Sequence, residues 1–252
     1  MGKTTTAINL AAALAASELN VLLIDSDPQG NSTSGVGIPK DSERSTLYNV
    51  LLREQALRDV VVETDSPGLS LAPADQNLVA TNLDLVDAEE RERRLQTAID
   101  DIRGSYDYIV IDCPPALDLL TLNALVASDA VVIPIQCEFF ALEGISQLMD
   151  TIDRIKEAFN PNLRVEGVLL TMYDDRTNLT RQVEADLREF FGKEVFKTVV
   201  PRSVRLAEAP SFGKSILAYD PRSRGAEAYI KLAKEILAHE QRGRAESAQS
   251  AR

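Results

Sequence analysis

Runs of aliphatic residues alternate along the chain with segments in which apolar positions recur at helical spacing. The runs are continuous rather than alternating, which is typical of strands buried on both faces of a parallel sheet. Helical segments between such runs predict helices that cover both faces of that sheet, so we expect an α/β fold with a doubly wound, mostly parallel sheet. The predicted strands are 21–24, 69–72 (the weakest), 108–111, 130–135, 167–170 and 195–200, and the predicted helices are 3–18, 45–57, 87–103, 116–127, 142–159, 178–191 and 225–238.

The 252 residues are enough for one large α/β domain. No repeat or linker interrupts the interior of the chain. The last stretch, HEQRGRAESAQSAR, contains no large apolar residue. We therefore predict a single domain over residues 1–238 and a disordered tail over residues 239–252.

The composition indicates which kinds of binding and which cellular location are expected for the protein. The net charge of -12 does not favour nucleic-acid binding by the surface as a whole, although a local basic patch could still provide it. Cys113 and Cys137 lie within apolar runs, which predicts buried free thiols in a reducing cytoplasm. No apolar run approaches the roughly 18 residues of a membrane span, and the first residues lack the pattern of a signal peptide.

Gly2-Lys3-Thr4-Thr5 opens the first predicted helix. In a phosphate-binding loop, backbone N–H groups at a helix N-terminus wrap the phosphates, the lysine reaches the β- and γ-phosphates, and the hydroxyl ligates Mg²⁺. Gly-Lys-Thr alone is weak evidence, because an ordinary helix start explains so short a motif equally well. A complete loop also has a strand and further glycines before it.

Two further acidic elements follow predicted strands, where ligands bind in open α/β sheets. Asp25 and Asp27 follow the run 21–24, and a carboxylate there can hold or polarise a water against a γ-phosphate. Asp112 ends the run 108–111, as in a Walker B strand whose carboxylate orients Mg²⁺. A turn after a strand explains either element alone, but all three elements in this order predict a site for ATP and Mg²⁺.

These motifs resemble the ParA/Soj family of chromosome- and plasmid-partitioning ATPases, within the MinD/ParA group of deviant Walker P-loop ATPases. The resemblance runs from residue 2 to about residue 238. It implies a P-loop NTPase fold with ATP bound at the carboxyl ends of the strands. The stretches that carry it are GKTTTAINLAAALA, VLLIDSDPQGNSTSG, YDYIVIDCPPALDLLTLNALVASDAVVIPIQCEFFALEGISQL, GVLLTMYDDRTNLTRQV and KTVVPRSVRLAEAPSFGKSILAYDPRSRGAEAY.

The resemblance implies a role for individual residues. Lys3 matches the family's catalytic P-loop lysine, and Asp27 matches the residue that activates the attacking water. The implied metal ligands are Thr4, Asp25 and Asp112. The implied nucleotide-binding residues are Gly2, Lys3, Thr4, Thr5, Met172, Pro201 and Arg202, the last three by a looser match.

The family also implies a cycle. An ATP-bound sandwich dimer binds DNA non-specifically through basic residues, and hydrolysis releases it. Arg176 and Arg205 match the positions used for DNA, and Arg202, Lys214, Arg222 and Arg224 could extend the patch. A ParB-type centromere-binding protein is the implied partner, and the implied location is the nucleoid.

The chain departs from the family at its first residues. The family's loop is Lys-Gly-Gly-x-Gly-Lys-Thr, and here Met1 stands at x with nothing before it. The first strand, which lies inside the family's sheet, and the signature lysine are missing from the sequence. We expect the chain as written to bind ATP and dimerise poorly, and we hypothesise a misassigned start, with the native protein beginning a dozen or more residues earlier.

Three alternatives stay open. A MinD-like membrane ATPase would need a basic amphipathic C-terminal helix, whereas we expect the apolar side of Tyr229–Leu237 to pack on the domain. An iron–sulfur reductase would need cysteines that bridge a dimer, and neither cysteine is placed for that. An inactive, truncated paralogue would act only through protein contacts.

Overall fold

The computed structural model describes residues 2–138 and 141–250, with side chains described except at 141–143 and 244–250. Its strands are β1 (Val21–Asp25), β2 (Val62–Glu63), β3 (Leu69–Ala72), β4 (Tyr108–Asp112), β5 (Ala130–Gln136), β6 (Arg164–Tyr173) and β7 (Val195–Pro201). Its helices are α1 (Lys3–Ala15), α2 (Asn31–Gly35), α3 (Leu47–Leu51), α4 (Leu57–Val60), α5 (Thr81–Asp84), α6 (Arg94–Asp100), α7 (Leu119–Ala127), α8 (Ala141–Ala158), α9 (Asn178–Phe191), α10 (Val204–Glu208), α11 (Ile216–Tyr219) and α12 (Arg224–Ser250). Short 3-10 helices occupy Gln76–Ala80, Arg91–Arg93, Arg103–Ser105, Gly192–Glu194 and Ala209–Phe212.

The predicted α/β fold with mostly parallel strands is confirmed. The first sheet has the order β2-β3-β1-β4, in which β1 pairs in parallel with β3 and β4 and the two-residue β2 is antiparallel. The second has the order β5-β6-β7 and is parallel throughout. All six predicted strands are present, and β2 is the strand that the sequence did not reveal, because two residues carry no periodicity.

A cavity of about 600 Å³ separates the two sheets. One wall is β4, the other is β5, and α1 and the C-terminal part of α12 line it as well. In the part of the chain that the structure describes, β4 pairs only with β1 and β5 only with β6. The apolar residues 108–111 of β4 are only half-buried, whereas every residue of its neighbour β1 is buried. This cavity, which we call the strand slot, lies where the resemblance places the family's first strand.

Helix α1 packs on the sheet over most of its length. Residues 6–15 are all buried, so the helix has almost no solvent-facing side. Two polar side chains tie it to the C-terminal part of the chain: the Thr6 and Tyr229 hydroxyls are 3.3 Å apart, and Asn9 Oδ1 accepts a 2.7 Å hydrogen bond from the backbone N–H of Ile216. The start of α1 is therefore held from several sides.

The C-terminal helix α12 also belongs to the core. Tyr229, Leu232, Ala233 and Ile236 are buried, and they belong to the same apolar cluster as α1. The apolar side of this helix therefore packs on the domain, as expected. Among the described residues, no helix combines the length and the apolar character that crossing a bilayer requires.

Several elements differ from those predicted. Helix α12 continues through Ser250, where we expected a disordered tail, because alanine, glutamate, glutamine and arginine favour helix even without an apolar face. The predicted helix 45–57 is two short helices, α3 and α4, and the predicted helix 87–103 contains a 3-10 turn and the shorter α6. The boundary of the domain at residue 238 stays a prediction.

The strand slot generates a prediction about stability. Adding a strand of about six Val/Ile-rich residues, joined by a short Gly-containing turn to Gly2, should raise the free energy of unfolding by roughly 2–5 kcal/mol. The added strand would pair with both open edges and cover half-buried apolar residues of β4 and β5. Urea unfolding followed by circular dichroism measures the change. The matched control carries Asp at alternate positions of the same extension, and equal stability of the two extended chains would contradict the prediction.

Candidate functional site

Two buried carboxylates lie side by side at the carboxyl ends of β1 and β4. Asp25 and Asp112 are partners in the parallel register of these strands, and they are 0% and 1% exposed. Charged groups at such depth are costly unless hydrogen bonds or a counter-ion compensate them. The partners of the two carboxylates therefore define what the site can hold.

Asp25 fixes the loop that follows β1. Its Oδ2 accepts hydrogen bonds from the Thr33 backbone N–H at 2.7 Å and from Thr33 Oγ1 at 2.8 Å, and its Oδ1 accepts from the Asp27 N–H at 3.2 Å. Burial raises the pKa of Asp25 to about 6; the bonds from Thr33 oppose that shift and the neighbouring Asp112 adds to it. Both oxygens hold the backbone in place, and the role of Asp25 as a metal ligand stays a prediction.

Asp112 has one engaged and one unengaged oxygen. Ser32 Oγ donates to its Oδ2 at 2.7 Å. Its Oδ1 is buried and has no hydrogen-bond partner among the described residues. Burial is the largest influence and raises the pKa of Asp112; the hydroxyls of Ser32 and Thr4 and the charge of Lys3 oppose it. This oxygen is therefore available to accept a hydrogen bond from a water or to bind a cation.

The oxygen atoms at and around Asp112 are suitable ligands for Mg²⁺. This ion prefers hard oxygen ligands and keeps several waters, so it is bound through one or two protein oxygens together with substrate phosphates. The Thr4 hydroxyl and Asp112 supply that set, and a cation there would relieve the repulsion between Asp25 and Asp112. Within the described ranges, no group of three or more His, Cys, Asp or Glu side chains could form a metal cage made of protein alone.

The open start of α1 fits an anion. Gly2 is its N-cap with φ of 95°, and no side chain caps the first turn. The first N–H groups of a helix have no partner within it and carry a partial positive charge. No acidic residue occupies this turn. The predicted residues Gly2, Lys3, Thr4 and Thr5 therefore offer backbone donors and one ammonium group to a phosphate.

Asp27 lies in the turn that leaves β1. It is 8% exposed, its Oδ1 accepts a 2.9 Å hydrogen bond from the Gln29 N–H, and its carbonyl accepts one from Gly30 at 2.9 Å. Gly30 has φ of 62°, a left-handed conformation that glycine adopts without strain. The turn thus sets the direction of the Asp27 side chain.

The loosely matched nucleotide residues lie at the ends of β6 and β7. A Cβ on Gly2 would lie 3.2 Å from Thr171 Oγ1 at the end of β6, a tight contact, and the φ of 95° also favours glycine. Met172 follows with φ of 51°, a strained conformation for a side chain of its size. The N–H of Arg202 donates to the carbonyl of Tyr173 at 3.1 Å, which brings the ends of β6 and β7 together. The structure therefore brings Pro201 and Arg202 beside Tyr173 at the end of β6, the strand end whose Thr171 lies against Gly2.

The two predicted DNA-binding arginines lie on the surface and pair with carboxylates. Arg176 Nε and Nη2 donate to Asp174 at 2.8 and 2.6 Å, which lowers the pKa of Asp174 to about 2. Arg205 Nη1 donates to Glu208 at 3.3 Å. The side chains of Arg176 and Arg205 are 83% and 58% exposed, so both cations can meet a second anion.

Arg176 lines a groove that extends along β7 and the start of α12. The groove contains five cations and three carboxylates, in contrast to the acidic chain as a whole. It includes Arg202 and Arg224, as the sequence indicated, but not Lys214, Arg222 or Arg205. Its charged residues are Asp174, Asp175, Arg176, Lys197, Arg202, Arg224, Glu227 and Lys231.

Sequence reasoning missed Ser32 and Thr33, the residues of α2 that hold the two carboxylates. Thr33 Oγ1 also accepts a 3.0 Å hydrogen bond from the N–H of Ala74, after β3. The missed signal was the stretch NSTSG, in which three consecutive hydroxyl residues follow the Asp-Pro turn. The cysteines are free thiols as expected: Cys137 is buried and Cys113 half-buried.

Comparisons with known proteins agree with this arrangement. The family model described as "AAA domain" matches residues 1–165. The chain is 51% identical over 250 residues to the chromosome partitioning protein ParA of Caulobacter vibrioides, covering 98% of this chain and 94% of that protein. It is also 51% identical over 239 residues to the sporulation initiation inhibitor protein Soj of Bacillus subtilis, with coverages of 95% and 94%. The chain belongs to the ParA/Soj family.

Solved structures of other proteins share the fold of this chain. A Mycobacterium smegmatis protein described as cobyrinic acid a,c-diamide synthase aligns with a TM-score of 0.85 at 34% identity, covering 96% of this chain and 92% of that one. It has also been solved with ADP and magnesium. The cell division ATPase MinD of Pyrococcus furiosus aligns with a TM-score of 0.76 at 26% identity, with coverages of 94% and 93%. Nucleotide and magnesium binding thus occur within this group of structures.

The hydrogen bond from Ser32 to Asp112 can be tested by stability. Ser32→Ala should lower the free energy of unfolding by about 1–3 kcal/mol, because it leaves a second oxygen of a buried carboxylate without a donor. Ser34→Ala is the matched control in the same helix, since that exposed hydroxyl bonds only to backbone carbonyls. Urea denaturation measures both, and equal losses would contradict the role assigned to Ser32.

Proposed function

We propose that this protein is an ATP-dependent partitioning ATPase that binds DNA non-specifically as an ATP-bound dimer and leaves it after hydrolysis. The observation that carries the proposal is the unpartnered Oδ1 of the buried Asp112, close to Lys3 and Thr4 at an uncapped helix start. A cation would stabilise a carboxylate oxygen in that environment, and an anion would be stabilised by the N–H groups at the helix start. Magnesium nucleotide provides both.

The proposed chemistry assigns one task to each group. The N–H groups at the start of α1 and the ammonium of Lys3 bind the β- and γ-phosphates. Thr4 and Asp112 would hold Mg²⁺, which neutralises charge on the phosphate oxygens. Asp27 orients a water for in-line attack on the γ-phosphorus; a bond forms to the water oxygen and the bond to the β–γ bridging oxygen breaks. The products are ADP and phosphate.

The adenine would lie at the ends of β6 and β7. Met172 lies in β6 between Thr171, which contacts Gly2, and Tyr173, which pairs with Pro201 and accepts a hydrogen bond from the Arg202 N–H. This segment also borders the cationic groove that contains Arg176. ATP binding and DNA binding therefore share the ends of two adjacent strands, an arrangement that suits a nucleotide-controlled DNA switch.

The relatives' names support a role in chromosome partitioning, and the protein would act on the nucleoid in the cytoplasm. A ParB-type centromere-binding protein would stimulate hydrolysis. A MinD-like membrane role finds little support in α12, because Tyr229, Leu232, Ala233 and Ile236 on its apolar side are buried in the same cluster as α1, and Ile230 is its only exposed large apolar residue among the described side chains.

The role of Asp27 can be tested by kinetics. Asp27→Ala should leave ATP binding within about threefold but reduce hydrolysis by roughly a hundredfold or more, since the water would lose its orienting group. Binding is measured with a fluorescent ATP analogue and hydrolysis by phosphate release. Asp65→Ala, at an exposed loop position, is the control. An unchanged rate in Asp27→Ala would refute the assignment. Absence of nucleotide binding in the wild type is expected for a chain that lacks the start of the loop, and it would favour the inactive paralogue only if an N-terminally extended protein also failed to bind.

The DNA contacts can be tested by salt dependence. Arg176→Ala and Arg205→Ala should each weaken ATP-dependent binding to duplex DNA regardless of sequence and lower the slope of log affinity against log salt by about 1. Arg58→Ala, an exposed arginine on α4, should change neither quantity. Fluorescence anisotropy with two unrelated duplexes measures both. Unaltered affinity and slope in both variants would remove these arginines from the DNA surface without affecting the nucleotide site.

A further inference from the structure

The segment before and within α5 presents a stripe of large apolar side chains to solvent. Val79, Leu83 and Val86 are 66%, 77% and 58% exposed. They are spaced four and three residues apart, so they share one face of a helical segment. Isolated exposed apolar residues are common on proteins, but a contiguous set of them marks an interaction site.

The stripe lies on a well-anchored segment. On the opposite face, Leu78, Thr81 and Leu85 are buried in the domain. The Tyr48 hydroxyl donates to Asp84 Oδ2 at 2.7 Å, and Asn82 Oδ1 accepts a 3.3 Å hydrogen bond from the backbone N–H of Leu119. The segment is therefore held in a defined orientation, and its apolar face is displayed by a fixed surface.

Leu117 is a further exposed apolar residue close to this segment along the chain, and it also lines the strand slot. It is 61% exposed and comes two residues before Leu119, the residue that Asn82 contacts. It also lies in the loop between Asp112 and α7. A molecule that covered both the stripe and Leu117 would contact the loop that follows the Asp112 carboxylate. We call the surface formed by Val79, Leu83, Val86 and Leu117 the apolar patch.

Most of the charge near the patch is negative, although Arg91 Nη1 donates a 3.3 Å hydrogen bond to the carbonyl of Val86. From Asp59 to Glu90 the sequence contains eight acidic residues and no lysine, arginine or histidine. Five of these carboxylates fall within or beside the patch segment. Complementary charge steers association and selects partners, so a cationic ligand is favoured at this surface and an acidic one is rejected. The carboxylates near the patch are Asp75, Asp84, Asp87, Glu89 and Glu90.

We propose that the apolar patch is the docking surface for a basic amphipathic segment of a protein partner. Apolar side chains of that segment, at helical spacing, would cover Val79, Leu83 and Val86, and its Lys or Arg side chains would meet the surrounding carboxylates. This is the helix-on-apolar-surface mode of peptide recognition, with charge setting its specificity. The proposal does not depend on ATP binding, and it can be tested on the nucleotide-free protein.

The test uses a fluorescent 18-residue peptide of leucine and lysine with its leucines on one helical face. Its scrambled isomer, with the same composition but no apolar face, is the peptide control. We expect the amphipathic peptide to bind the wild-type protein at least tenfold more tightly than the isomer in fluorescence anisotropy. Equal binding of the two peptides would overturn the proposal, because charge alone would then account for the association.

Protein variants locate the site. Val79→Ser together with Leu83→Ser should weaken peptide binding at least tenfold, whereas Phe190→Ser, which removes an equally exposed apolar group on α9, should change it less than twofold. Asp87→Asn with Glu89→Gln should reduce the salt dependence. An unchanged affinity in the Val79/Leu83 variant, with an unchanged unfolding midpoint, would overturn the proposal.

A second copy of the chain is the competing occupant. Sedimentation velocity of the nucleotide-free protein distinguishes it, since self-association through the patch would appear as a dimer that Leu83→Ser abolishes. That outcome would overturn the assignment to a basic partner. A monomer whose sedimentation is unaffected by Leu83→Ser supports it.

Discussion

The burial of two like charges at adjacent strand ends is the constraint on which the rest of the site depends. Asp25 and Asp112 are register partners with almost no exposure, so each needs compensation. Thr33 and the turn backbone compensate Asp25, and Ser32 compensates half of Asp112. Asp112 Oδ1 has no hydrogen-bond partner among the described residues and can therefore bind a cation. The two carboxylates hold the loop after β1 and helix α2 in place, and Thr33 links them to the end of β3.

Helix α1 links the site around Asp112 to the hydrophobic core. Its uncapped start offers donors to an anion, and its remaining turns are buried against the sheet and α12. Thr6 bonds to Tyr229, and Asn9 bonds to the backbone of Ile216. A displacement of the first turn of α1 would therefore also displace residues in the C-terminal region. The strand slot lies beside the same helix, so a strand added there and a phosphate bound at the start of α1 would stabilise one another.

Much of the fold could be predicted from the sequence because its strands are long, continuous and aliphatic. Strands β1, β4 and β5 fall within a residue of their predicted limits, and Asp25 and Asp112 mark strand ends as expected. The hydroxyl partners could not be predicted, since NSTSG has no periodicity and its role appears only when β4 comes beside β1. Likewise, exposed positions such as Leu83 differ from core leucines only through tertiary burial. The arginine pairings depend on side-chain geometry that no linear pattern encodes.

The positions of charge would keep the three proposed binding surfaces apart within one chain. Acidic residues dominate the segment 59–90 around the apolar patch, cations dominate the groove along β7 and α12, and the buried carboxylates lie at the strand ends. A DNA phosphate is therefore attracted to the groove and repelled from the patch, while a basic peptide experiences the opposite forces. The strand ends carry residues of both regions: Leu117 follows Asp112, and Arg202 follows β7. A nucleotide bound at these strand ends would therefore lie within single loops of both proposed surfaces.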